Sequence, residues 1–96
     1  MEILVAYDVN TETSAGRRRL RRVATICKDY GQRVQFSVFE CRVDQAQYEM
    51  LSTRLEEIIN PDSDSLRIYK LRGGRDEFLA CFGLDKYTDF DEPLIL

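Results

Sequence analysis

The sequence contains no histidine, no tryptophan, two prolines and only three cysteines. Without histidine it can form neither a Ser/His nor a Cys/His catalytic pair, so acid–base chemistry falls to carboxylates, tyrosines or metal-bound water. Cys27, Cys41 and Cys81 are odd in number and form no CxxC pair, which argues against a disulfide framework and a structural zinc site. We therefore expect free, mostly buried thiols in a cytoplasmic protein.

Long apolar runs are also missing, and the net charge is small. No stretch approaches the roughly 20 apolar residues of a membrane span, and no basic-then-apolar leader opens the sequence. Fourteen basic and 17 acidic side chains among 96 residues give a net charge of −3, and the apolar content of 44% is typical of globular proteins. These values predict one soluble domain without a membrane partner.

Hydrophobic periodicity predicts a short series of strands and helices. An unbroken apolar run near the N-terminus is typical of a strand covered on both faces. Two segments have a period of 3.6: the first ends near Gly31, at the position of a left-handed C-cap, and the second begins with capping-box spacing at Asp44 and Gln47. In chain order the predicted elements are a strand (within 1–9), a helix (from 15), a broken strand (33–43), a helix (44–59) and two strands (65–71 and 78–82).

The strand segment at residues 33–43 changes phase part-way along. Apolar residues alternate with polar ones up to Val38 and then resume in the opposite phase at Phe39. Because the side chains of a strand alternate between faces, both sets can share one face only if the chain bulges or folds over near Ser37.

This order of elements predicts an α+β, ferredoxin-like βαββαβ fold, in which two helices cover one face of an antiparallel sheet. The first strand is apolar on both sides, so a second copy of the chain should cover the other face in a two-fold homodimer. Residues 78–82 are expected to add an extra C-terminal strand, either to the partner's sheet or to their own. We assign residues 1–83 to the domain and 84–96 to an acidic tail with an apolar end.

Asp8 is the residue with the clearest potential for chemistry, because it ends a strand that should lie centrally in the sheet. One interpretation is a cap on the following turn, through Asn10 or Thr11. In a two-fold dimer, however, two copies of Asp8 about 4 Å apart would repel each other by ~4 kcal/mol at an effective dielectric near 20. A shared Mg²⁺ or Mn²⁺ ion would relieve that repulsion and would support phosphodiester hydrolysis.

Five arginines fall within six positions at the start of the first helix: Arg17, Arg18, Arg19, Arg21 and Arg22. Helical geometry places Arg18, Arg21 and Arg22 outward. Cations near a helix N-terminus oppose its dipole by roughly 0.3 to 1 kcal/mol each, so stability alone does not favour this placement. The binding of phosphate groups, in contrast, favours this placement of the arginines.

The distribution of charge supports the same interpretation. Residues 16–42 carry eight basic and two acidic side chains, whereas residues 76–96 carry six acidic and one basic. The chain therefore has one basic and one acidic segment, although its net charge is small. The basic segment is typical of a nucleic-acid-binding surface. The alternative is a solvated helix face whose arginines pair with acids such as Asp29 or those of the tail.

Several segments together resemble the Cas2 family of small CRISPR-associated adaptation proteins. They are residues 4–9 (LVAYDV), the arginine-rich helix, residues 31–40 (GQRVQFSVFE) and residues 64–69 (DSLRIY), and they cover nearly the whole chain in the family's order. The resemblance implies a ferredoxin-like homodimer with one metal ion between two copies of Asp8. It also implies endoribonuclease activity and a role beside the CRISPR integrase in capturing new spacers.

The resemblance also assigns roles to single residues. Asp8 matches the family's metal-binding aspartate, and Tyr7 matches the aromatic position beside it. The cluster Arg17, Arg18 and Arg19 matches the basic positions, and Arg33, Ser37 and Phe39 match the middle motif.

Three functions fit these residues. In a Mg²⁺-dependent endonuclease acting on RNA or DNA, two copies of Asp8 would hold the ion and arginines would place the backbone, while Tyr7, Ser37 or Phe39 would position a base or the backbone. In a non-catalytic scaffold, the dimer would present its basic helices to a DNA duplex, and the tail would dock the integrase. A messenger ribonuclease toxin of the same fold would share the nuclease prediction. Tyr7 has a simpler alternative, which is packing in the core beside Ile3 and Val5.

Overall fold

The computed structural model describes residues 1–88. Its elements, in chain order, are β1 (Glu2–Asp8), α1 (Ser14–Lys28), β2 (Gly31–Gln35), β3 (Val38–Arg42), α2 (Gln45–Ile58), β4 (Ser65–Leu71) and a short α3 (Arg75–Phe78). The four strands form one antiparallel sheet in the order β2-β3-β1-β4, with β1 in a central position. This arrangement confirms the ferredoxin-like α+β fold.

The side chains of β1 alternate between the two faces of the sheet. Ile3, Val5 and Tyr7 are buried beneath the helices, and they belong to one core with residues of α1, α2 and β3. Leu4 and Ala6 are half-buried on the opposite side, and Asp8 is exposed at the end of the same row. We call this side, opposite the helices, the open face.

Both helices begin with the predicted capping chemistry. The side chain of Thr13 accepts a hydrogen bond from the Gly16 N–H before α1. Asp44 and Gln47 form a reciprocal capping box before α2, with bonds of 2.8 and 2.9 Å. These local bonds satisfy N–H groups that have no partner within the helix.

Gly31 is not the left-handed C-cap that its position suggests. Asp29 ends α1 in a right-handed conformation, and among the described residues only Gly73 and Gly83 have positive φ. Gly31 is instead the first residue of β2, where a Cβ would collide with the carbonyl oxygen of Glu40 and the sulfur of Cys41. Close approach of two strands, rather than a special φ, explains the glycine.

The middle segment folds over at the predicted place. β2 ends at Gln35 and β3 begins at Val38, so residues 36–37 form the turn of a tight hairpin. A register shift between Arg33 and Gln35 adds a bulge in β2. The two apolar sets do not share a face, however: Phe39 is buried under the helices, whereas Val38 is on the open face.

The segment after β4 differs from the prediction. Residues 78–82 add no strand to the sheet of their own chain, because Phe78 ends helix α3 and residues 79–82 form no regular element. A strand that adds to the sheet of a partner remains a prediction. Arg75 ties this segment to the open face through Glu40 at 2.8 Å and to Asp85 at 2.9 Å. The chain's own residues therefore cover part of the face that we assigned to a second copy, and the apolar end at 94–96 lies outside the described residues.

The described cysteines carry free thiols, as expected. Cys27 and Cys41 are buried, and burial is the main cause that raises the pKa of each thiol to about 12. Cys81 is exposed. Within residues 1–88, none of the helices combines the length and the apolar character needed to cross a membrane.

Candidate metal and nucleic-acid sites

Asp8 is the last residue of the central strand, and its side chain is exposed on the open face. Its register partner is Ser65 of β4. The turn-cap interpretation is wrong, because Asn10 caps the turn with its own side chain and its N–H donates to Asp64. Asp8 has no hydrogen-bond or ion-pair partner among residues 1–88, so its charge is available to a ligand.

A single chain offers only part of a metal site. Among the described residues there is no group of three or more Asp, Glu or Cys side chains able to share an ion. Mg²⁺ is commonly held by one or two carboxylates, with water and substrate phosphate as the remaining ligands. The exposed, unpaired carboxylate of Asp8 fits half of such a site, which a second copy of Asp8 would complete.

Three arginines of α1 line a groove with a fourth from α2. We call it the arginine groove: Arg18, Arg21, Arg22 and Arg54 line about 590 Å³ between the two helices, together with Glu57. Arg18, Arg21 and Arg22 are exposed and form no ion pair within the described part of the chain. The acid that we considered as their partner, Asp29, bonds to Arg54 at 3.3 Å instead.

The other two arginines of the cluster have partners within the chain. Arg17 is exposed, and its Nη1 donates to the carbonyl oxygen of Thr11 at 3.1 Å. Arg19 donates from Nε to Oδ2 of Asp64 at 2.8 Å, and the Asp64 side chain is 0% exposed. Burial alone would raise the pKa of Asp64, but Arg19 and two backbone N–H groups lower it to about 2. Arg19 therefore supports the fold, and its charge is already neutralised.

Tyr7 occupies the core, as the simpler interpretation predicts. It is 6% exposed, packs in one cluster with Ile3 and Val5, and stacks on Phe39 with ring centroids 6.3 Å apart. The Tyr7 hydroxyl has no hydrogen-bond partner among the described residues. Burial raises the pKa of Tyr7, and the nearby Arg33 guanidinium opposes this shift without reaching hydrogen-bond geometry.

The middle-motif residues surround Tyr7. Arg33 is exposed, and its guanidinium carbon lies 5.3 Å from the ring centroid of Phe39. Phe39 is fully buried, so its ring is not available for stacking on a base. Ser37 lies in the hairpin turn, where its carbonyl oxygen accepts a hydrogen bond from the Tyr7 N–H at 3.1 Å. Ser37 thus fixes the hairpin to β1 through its backbone.

The structure divides these residues into separate groups. Tyr7 and Asp8 are consecutive in a strand and point to opposite faces, so within one chain they do not form a common site. Two further residues were not predicted from the sequence: Arg54 reaches the groove from α2, and Phe36 is 81% exposed at the hairpin tip. The alternation around Phe36 indicated a buried position and gave no signal of this exposure.

The comparisons with known proteins agree with this fold. Residues 1–77 match the model of the family described as CRISPR associated protein Cas2. The chain belongs to the Cas2 family. The Moorella thermoacetica protein named CRISPR-associated endoribonuclease Cas2 1 is 55% identical over 96 residues, which are all of both chains. The Halalkalibacterium halodurans protein named CRISPR-associated endonuclease Cas2 is 44% identical over 95 residues, or 99% of each chain.

A solved structure supports the same assignment to Cas2. The crystal structure of Streptococcus pyogenes Cas2 at pH 6.5 matches with a TM-score of 0.77 and 52% identity, covering 86% of this chain and 100% of that one. The Cas2 family match includes Asp8, the arginine groove and the β2–β3 hairpin, because all of them lie within residues 1–77. The family resemblance of the sequence is thereby confirmed.

Proposed function

We propose that this chain is a metal-dependent endonuclease that hydrolyses phosphodiester bonds in RNA or DNA and takes part in CRISPR spacer acquisition. The observation that carries the proposal is the exposed, unpaired carboxylate of Asp8 at the end of the central strand. The names endoribonuclease and endonuclease of two similar proteins point to the same reaction. In the proposed homodimer, two copies of Asp8 hold one Mg²⁺ or Mn²⁺ ion.

Asp8 and the arginines of the groove have different roles in the proposed reaction. When bound, a divalent ion stabilises charge on a phosphate and lowers the pKa of a coordinated water. Asp8 binds the ion, and its exposure leaves room for water and for a substrate phosphate. Arg18 and Arg22 hold the nucleic-acid backbone, because their guanidinium groups are exposed and unpaired in the described chain.

The test replaces the carboxylate of Asp8 with an amide of nearly the same shape. Asp8→Asn should leave the fold intact, since Asp8 is exposed and has no partner among residues 1–88. Cleavage of single-stranded RNA and of duplex DNA, measured across a Mg²⁺ titration, should fall by roughly 100-fold or more, because one bound divalent ion supplies several kcal/mol of stabilisation. Glu56→Gln, the same chemical change at an exposed position on α2, should cleave as the wild type does. Equal cleavage by Asp8→Asn and the wild type would refute the assignment.

A second candidate function is a non-catalytic scaffold for the CRISPR integrase on spacer DNA. It is favoured by the combination of an arginine groove with the lack of a larger carboxylate cluster in the described residues, since efficient metal nucleases usually offer more acids. In this role the tail at 84–96 would dock the integrase. Spacer acquisition that persists in cells carrying Asp8→Asn would favour the scaffold, and its loss together with cleavage would favour the nuclease.

A further inference from the structure

A second cavity lies on the helix side of the sheet, between α1 and the β2–β3 hairpin. We call it the hairpin cavity, and its volume of about 370 Å³ falls at the lower end of the roughly 300 to 1,000 Å³ typical of small-ligand sites. Its lining includes three cations, Arg21, Lys28 and Arg33, and no acid. The described structure gives none of the three an ion-pair partner. A ligand of this cavity should therefore be an anion.

The inner wall of the hairpin cavity contains a polar group without a partner. Tyr7 lines the cavity, is more than nine-tenths buried, and has a hydroxyl that forms no hydrogen bond within residues 1–88. Buried hydroxyls in folded proteins are normally satisfied, because an unmade hydrogen bond costs the full desolvation of the group. Here the unsatisfied hydroxyl indicates a ligand with a hydrogen-bonding edge.

An aromatic ring lines the hairpin cavity without belonging to the hydrophobic core. Phe36 lines the cavity and is 81% exposed at the tip of the hairpin. The Arg33 guanidinium carbon lies 6.0 Å from its ring centroid. An exposed aromatic ring beside an arginine is typical of surfaces on which unpaired bases stack.

We propose that the hairpin cavity binds one unpaired nucleotide unit, a planar base that carries a phosphate. The base stacks on Phe36, an edge of the base hydrogen-bonds to the Tyr7 hydroxyl, and Arg21 and Lys28 hold the phosphate. Arg21 also lines the arginine groove, so the strand can continue from one site to the other. The proposal rests on the proposed nucleic-acid function but not on the metal, because Tyr7 faces away from the side of Asp8.

Two variants test the two contacts with the base separately. Tyr7→Phe removes only the hydroxyl and keeps the buried ring, and Phe36→Ala removes an exposed ring. Each of them, like the control named below, is combined with Asp8→Asn in the full chain, so that the probes stay intact. The probes are a single-stranded RNA carrying 2-aminopurine, the same strand annealed to its complement, and AMP. Phe82→Ala removes a ring that is 92% exposed elsewhere and serves as the matched control.

We expect the single strand to bind and its 2-aminopurine fluorescence to be quenched by stacking. Phe36→Ala should weaken this binding by roughly 5-fold or more and abolish the quenching. Tyr7→Phe should weaken it by roughly 3- to 10-fold. Binding of the duplex should be the same in both variants and in Phe82→Ala, since a paired base cannot enter the cavity. Binding of AMP alone with the same sensitivity to both variants would assign the site to free nucleotides rather than to a strand.

The proposal is overturned if Phe36→Ala and Tyr7→Phe bind the single strand and AMP as Phe82→Ala does. It is also overturned if both variants weaken the duplex and the single strand equally. Cleavage by proteins that retain Asp8, measured in parallel, reports on the proposed function independently. Thermal unfolding of each variant confirms that the ring and hydroxyl deletions leave the fold in place.

Discussion

Asp64 joins three parts of the chain through one buried carboxylate. It accepts hydrogen bonds from the N–H of Asn10 after β1, from Arg19 on α1 and from the N–H of Asn60 after α2. Its side chain is 0% exposed, so these donors replace the water that the charge has lost. From the sequence, Arg19 was assigned to nucleic acid, because a run of arginines contains no signal that distinguishes the one facing a buried acid.

The first prediction concerns the stability that Asp64 contributes. Asp64→Asn should lower the free energy of unfolding by about 1 to 3 kcal/mol, because it removes a charge and leaves Arg19 unpaired. The pKa of Asp64 is about 2 in the folded chain against an ordinary value of 3.8. A lowered pKa gives stability that is fully present above the unfolded value and is lost as the pH falls through the folded one.

Urea denaturation at a series of pH values measures both effects. The gap between the wild type and Asp64→Asn should stay constant above about pH 5 and shrink between about pH 4 and pH 2. Asp62→Asn, at an exposed residue of the same loop that forms no ion pair in the described structure, should match the wild type throughout. A gap that does not change with pH would show that the Asp64 charge does not contribute.

At the scale of elements, the two helices form a groove that neither could form alone. Arg18, Arg21 and Arg22 come from α1, and Arg54 crosses from α2. Helix α1 packs against the core through its buried residues, which include Val23 and Cys27, so its arginines project from a fixed surface. Such a surface binds phosphates by releasing counterions from the nucleic acid, which makes its affinity depend on salt.

The second prediction is a change in that salt dependence. The double variant Arg18→Gln/Arg22→Gln should weaken the binding of RNA or DNA at low salt. It should also lower the slope of log K against log salt by roughly 1.4 to 1.8, at about 0.7 to 0.9 for each lost phosphate contact. Both residues lie outside the lining of the hairpin cavity, so the two sites are tested independently.

The control removes the same charge elsewhere. Arg72→Gln/Lys86→Gln changes two exposed cations that lie after β4 and line neither the groove nor the hairpin cavity. Its slope should equal that of the wild type. Equal slopes for the groove variant and this control would show that the arginine groove does not bind the nucleic acid.

The elements that sequence could predict are those determined by neighbouring residues. The capping box at Asp44 and Gln47 and the strand Ser65–Leu71 were predicted from local pattern and are confirmed. The strand expected at 78–82 is not part of the chain's own sheet, where ion pairs of Arg75 with Glu40 and Asp85 accompany a short helix and a loop. Local periodicity cannot show a contact between residues 35 positions apart.

The candidate site likewise has features that the sequence predicts and features that depend on tertiary packing. The position of Asp8 at a strand end followed from the sequence, because an apolar run and a terminal acid are local features. The opposite directions of Tyr7 and Asp8 also follow from strand alternation once residues 2–8 are known to form a strand. The groove position of Arg54 and the exposure of Phe36 required the packed structure.

For the whole molecule, the proposed function depends on how two chains would meet. The open face carries Asp8 at its edge and is partly covered by residues 75–85, which are tied down at Glu40. Glu40 is only 8% exposed, so Arg75 compensates a charge that would otherwise be buried alone. The proposed dimer must therefore use the part of this face near Asp8, or it must move the segment that follows β4.

In the proposed dimer, two copies of Asp8 share one divalent ion between two chains. Mn²⁺ titration followed by electron paramagnetic resonance, on protein whose mass in solution is measured by analytical ultracentrifugation, tests it most directly. We expect a dimer that binds one Mn²⁺ per two chains through Asp8 and loses this ion in Asp8→Asn but not in Glu56→Gln. A monomer, or an ion that Asp8→Asn still binds with the same stoichiometry and affinity, would contradict it.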